Sequence, residues 1–73
     1  MDTYIDRLYQ ERSELRDRIS KLEDFLLGDT SPVSAVQLTI MDIQRSAMKT
    51  YYDCLESRID WIERAQGEVS GRG

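Results

Sequence analysis

The chain is expected to be all-α: an antiparallel two-helix hairpin that assembles into a homo-oligomeric helical bundle. Three observations predict this. Apolar residues recur in alternating three- and four-residue steps through both halves of the sequence, a single break at Gly28-Asp29-Thr30-Ser31-Pro32 divides the halves, and the second half carries more apolar surface than one neighbouring helix covers. No strand pattern and no internal repeat interrupts this reading.

The first helix is expected over about residues 3–27. Asp2 or Thr3 supplies a capping oxygen, and Thr3 with Asp6 approximates a capping box. Ile5, Leu8, Leu15, Ile19, Leu22 and Leu26 form a heptad seam in which Arg12 takes one slot. The other faces hold Arg7, Glu11, Glu14, Arg16, Asp17, Arg18, Lys21, Glu23 and Asp24, a solvated surface on which Glu14–Arg18 and Asp17–Lys21 have the favourable acid-first spacing.

Gly28 suits the left-handed residue that ends a helix, and residues 28–32 read as a tight loop. Two starts stay open for the second helix: Ser31 before Pro32, or Ser34 with Gln37 three residues later. That helix is expected over about 33–65. The stretch 66–73 has three of the four glycines and reads as a flexible tail, leaving 1–65 as one hairpin domain.

The second helix makes the case for assembly. Val33, Val36, Ile40, Met41, Ile43, Ala47, Met48, Tyr51, Cys54, Leu55, Ile59, Trp61 and Ile62 spread over roughly half its circumference, whereas a single contact needs about a third. A chain of 73 residues with one cysteine and no histidine has neither an internal disulfide nor a Cys/His metal cluster to stabilise it, so association is the remaining route. The interface is assigned to Val36, Ile40, Ile43, Ala47, Met48, Tyr51, Leu55, Ile59 and Ile62, with the chain itself as partner, as a dimer or a larger ring.

Composition excludes several functions. A net charge of −4 does not suit a grip on long nucleic acid. The sequence begins without a signal peptide pattern and holds no membrane span, so the cytoplasm is the expected location. Without an imidazole, general acid–base chemistry lacks its usual base; no enzyme activity, no cofactor and no metal are expected. Cys54 reads as a small buried hydrophobe rather than a reactive thiol.

What remains is binding. An antiparallel hairpin brings the start of the first helix beside the end of the second, gathering Tyr4, Arg7, Tyr9, Arg58, Trp61 and Arg64 at one end. Rings that stack on bases and guanidiniums that fork onto phosphates are what a nucleotide pocket requires. Arg12 joins this candidate set as an arginine aimed at an anion between subunits, against the alternative of a register-setting ion pair with an acidic neighbour. Tyrosine and tryptophan at helical spacing also serve plain packing.

The pattern Tyr4-x-x-x-Leu8, Glu11-x-x-Glu14-Leu15-x-x-Arg18-Ile19-x-x-Leu22-x-x-Phe25-Leu26, then Gln44-x-x-x-Met48-x-x-Tyr51-x-x-x-Leu55-x-x-Arg58-Ile59 resembles a family of small phage proteins related to crAss-like phage genes. In outline the hairpin is similar to the helical domain of phage anti-CBASS and anti-Thoeris sponges. That resemblance implies an oligomer that sequesters a cyclic nucleotide immune signal in the host cell cytoplasm. Three readings therefore compete: a ligand-sequestering oligomer, an inhibitor that binds a host defence protein through a helix face, and a structural coiled-coil module.

Overall fold

The computed structural model describes residues 3–72, with side chains through Gln66. Its described residues form two helices, α1 (Tyr4–Leu27) and α2 (Ala35–Arg72), packed as a hairpin with extents of 59 × 21 × 16 Å.

Local chemistry sets each boundary. At the start of α1 the capping box is complete: Asp6 N–H donates to Thr3 Oγ1 at 3.2 Å, and Thr3 N–H donates to the Asp6 carboxylate at 3.3 Å. Two open amides of the first turn are thereby satisfied. At its end Gly28 is the cap, but in extended backbone (φ −88°, ψ −156°) rather than the expected left-handed conformation. Its N–H donates to the Phe25 carbonyl at 3.2 Å, so the last turn tightens to a three-residue step and needs no positive φ.

The loop is held by its own polar groups. Asp29 accepts from Ser31 N–H at 3.0 Å, and the Ser31 side chain first, then this amide, hold its carboxyl below the usual carboxylate range; Val33 N–H donates to the Thr30 carbonyl at 2.9 Å. Of the two possible starts for α2, the chain takes the later one. Ser34 Oγ accepts from Gln37 N–H at 3.2 Å, and its carbonyl receives Leu38 N–H at 3.0 Å, while Pro32 is used in the preceding turn. At its far end α2 continues to Arg72, well past the expected stop near residue 65. The expected flexibility of 66–73 falls largely outside the described side chains.

Leu8, Leu15 and Ile19 of α1 and Leu55 and Ile59 of α2 form the core, with Leu55 and Ile59 at 0% and 1% exposure. Tyr9, Met48, Tyr52 and Ile62 pack around it. On α2 the inward residues Met41, Arg45, Met48, Tyr52, Leu55, Ile59 and Ile62 keep the same three–four alternation as the α1 seam, the pattern of left-handed knobs-into-holes packing. Of the helix-surface pairs expected on α1, neither Glu14–Arg18 nor Asp17–Lys21 closes to an ion pair among the described residues; Glu14 instead accepts from the Gln10 amide.

Candidate functional site

The seam divides the polar side chains of the hairpin into two flanks. Along α2 at 100° per residue, Tyr51 and Arg58 fall on one side of Leu55 and Ile59, while Tyr52, Glu56 and Glu63 fall on the other. Each side is cross-linked to α1 by tyrosine.

On the first flank, the Arg58 guanidinium lies 5.7 Å from the Tyr4 ring centroid and donates to the Tyr4 hydroxyl. Together with Ser57, Trp61 and Ile62 they line an open depression of about 510 Å³. Trp61 is 75% exposed there, an indole with its face available for stacking. Arg7, one turn after Tyr4, is exposed near the same end. Farther along this flank Tyr51 donates to Glu11, a bond that raises the Tyr51 hydroxyl pKa.

The second flank takes Tyr9 and Arg12 away from that end site. Tyr9 donates to Glu63, which raises the Tyr9 pKa, and Arg12 donates to Glu56 at 3.1 Å while lying 5.3 Å from the Tyr9 ring. Of the two options open in the sequence, Arg12 thus makes the ion pair with an acidic neighbour. Arg64 is held at 3.0 Å by Asp60, one turn earlier on its own helix. Of the residues assigned to a ligand, the structure thus gathers Tyr4, Arg58 and Trp61, and disperses Tyr9, Arg12 and Arg64.

A smaller depression of about 260 Å³ sits mid-hairpin on the second flank, lined by Arg16, Ile19, Lys49, Tyr52 and Asp53. Arg16 donates to the Tyr52 hydroxyl at 3.1 Å and lies 5.9 Å from its ring. Sequence reasoning missed this group because Arg16 reads as one more charge on a solvated face. The available signal was its four-residue spacing from Arg12, which places both arginines beside the same seam. Lys49 already bonds Glu23 at 3.4 Å, and Glu23 also lies 3.6 Å from Arg45.

The residues assigned to a subunit interface separate as clearly. Met48, Leu55, Ile59 and Ile62 pack within the hairpin, because they share the α2 face that meets α1. Val36, Ile40, Ile43 and Ala47 remain exposed on the outside of α2, while Tyr51, at the edge of this row, is 43% exposed and bonded to Glu11 of α1. Cys54 joins this outer row and is exposed, not buried as its apolar neighbours suggested.

No described helix is long and apolar enough to cross a membrane, and the described residues hold no cluster of three metal-ligating side chains. What this hairpin offers is a two-helix scaffold with aromatic and guanidinium groups exposed at one end. Residues 2–61 match the family model described as Sequestin, and the chain belongs to that family. No curated protein and no solved structure matches it.

Proposed function

We propose that the protein is a non-catalytic sponge: it sequesters a small anionic ligand, a cyclic nucleotide immune signal, at the subunit interfaces of a homo-oligomer, as a phage-type countermeasure to host defence. Membership of a family named for sequestration supports the mode of action. The Tyr4–Arg58–Trp61 depression supports the ligand class and is the observation that carries the reading. Tyr4 orients the Arg58 guanidinium through its hydroxyl, leaving other N–H groups for a phosphate, while the exposed Trp61 indole offers a stacking surface for a base. Sequestration asks only for tight binding, which raises the melting temperature by mass action.

The test is calorimetry and thermal shift against a panel of cyclic di- and trinucleotides. At least one ligand should raise the melting temperature with concentration, and Arg58→Ala and Trp61→Ala should each weaken its binding at least tenfold without loss of helicity. A panel that moves neither signal removes the cyclic-nucleotide assignment.

A further inference from the structure

The outside of α2 carries a second seam, separate from the one that builds the hairpin. Its positions are symmetric about Ala47: Ile43 and Tyr51 stand four residues to either side, Ile40 and Cys54 seven, Val36 and Arg58 eleven. Val36, Ile40 and Ile43 are 68, 50 and 63% exposed, an apolar patch of aliphatic side chains aligned over about two helical turns. Apart from Arg58, charge is excluded from the same half of the helix. Asp42, Arg45, Lys49, Asp53 and Glu56 all fall on the opposite half, in a chain that is one-third charged. Depletion of charge around an apolar row is the compositional mark of an interface core.

We propose that two copies of the chain pair antiparallel through this face, with the two-fold axis at Ala47. It rests on the sponge reading only in taking a second copy as the partner. A row whose spacing is symmetric about one residue lets each position meet the partner's mirror position, the self-complementary arrangement of an isologous contact. Ala47, the smallest member, sits where the two helices cross and lets them approach closely. Ile43 then packs on the partner's Tyr51, and Ile40 on the partner's Cys54.

Thr39, Ser46, Thr50 and Ser57 line one border, where Thr39 lies within about 3 Å along the axis of the level of the partner's Ser57, and Ser46 likewise of the partner's Thr50, with no like charges brought together. Arg58 and Trp61 lie over the start of the partner's α2, near the partner's Val36. Each Tyr4–Arg58–Trp61 depression, open on one side in the single chain, gains its missing wall from the other copy. α1 has no comparable face: its exterior carries Arg7, Glu14, Asp17, Arg18 and Lys21.

Sedimentation and thiol cross-linking test this without any ligand. The protein should be a dimer at micromolar concentration, and Ala47→Glu, at a position exposed in the hairpin, should convert it to a monomer with unchanged helicity. In the antiparallel register the two Cys54 residues stand about 20 Å apart along the helix axis, beyond disulfide reach. Mild oxidation should therefore leave the unaltered protein unlinked, whereas Ile40→Cys should yield a disulfide-linked dimer and Ile40→Cys with Cys54→Ser should not. A monomeric or trimeric species, a Cys54–Cys54 dimer, or a dimer that survives Ala47→Glu overturns the proposal. If Ala47→Glu unfolds, the cysteine pairs decide alone. Failure of cyclic nucleotides to bind would leave these outcomes intact, so the pairing and the ligand class are judged separately.

Discussion

Arg12 and Glu56 join the two helices across the seam, the guanidinium donating to the carboxylate at 3.1 Å. Both side chains keep solvent contact, at 26% and 42% exposure, so water screens the pair and its net contribution to stability is small. Arg12 stands between Leu8 and Leu15 in an otherwise aliphatic row. Arg12→Leu should leave the urea midpoint unchanged or raise it, because apolar burial offsets the lost pair, whereas Arg12→Glu should lower it by placing like charge beside Glu56. Denaturant titration of both variants checks the contrast; a large loss in Arg12→Leu would assign the ion pair a stabilising role that this geometry does not.

Stability should fall at both ends of the pH scale. The Tyr52 hydroxyl first, then the Arg12 guanidinium, hold the Glu56 carboxyl below its usual range. A carboxyl depressed by folding contributes stability above its unfolded-state pKa and loses it as pH falls through the folded-state value. Melting temperature should therefore drop on acidification through the carboxylate range, less steeply in Glu56→Gln. Tyr9 and Tyr51 are raised chiefly by their bonds to Glu63 and Glu11, so their contribution holds below the ordinary tyrosine range and is lost as pH rises through the elevated values. A flat acid limb that Glu56→Gln leaves unaltered would contradict the first assignment.

Core and surface positions on the two helices should separate by more than a factor of two. Leu55, fully enclosed, should lose about 2–5 kcal/mol on truncation to alanine through lost burial and the cavity left behind. Leu27, 87% exposed at the end of α1, should change stability by no more than about 0.5 kcal/mol in Leu27→Ser. Chemical denaturation of the two variants at equal protein concentration makes the comparison.

Thr3 connects stability to the site. Its hydroxyl caps the turn that begins with Tyr4, and Tyr4 is the partner of Arg58. Thr3→Ala should remove about 1 kcal/mol and fray the first turn. Circular dichroism should show a small loss of helix, and ligand affinity should fall with it, since Tyr4 then no longer orients the guanidinium. Unchanged affinity in the frayed variant would separate Tyr4 from the binding site.

Much of this was legible in the chain. Thr3 and Asp6 announced the capping box, Gly28 the end of α1, and the steps from Leu8 through Leu15 to Ile19 the buried seam, because caps and helical periodicity depend on residues within one or two turns of each other. The candidate site was legible in part. The hairpin did bring Tyr4 to Arg58 and Trp61, as antiparallel order requires, but Tyr9 and Arg12 went to the opposite flank, where Glu63 and Glu56 meet them.

Which α2 residues would face α1 was beyond a one-dimensional reading. Apolar residues cover so much of that helix that several rotations about its axis would each bury a plausible row, and only the register of packing selects one. By itself the sequence determined two capped helices, their order and an excess of apolar surface on the second. The tertiary structure decided that Leu55 and Ile59 turn inward while Val36, Ile40 and Ile43 stay outside, because interdigitation with Leu8, Leu15 and Ile19 fixes the rotation of α2 and thereby the flank to which every tyrosine and arginine belongs.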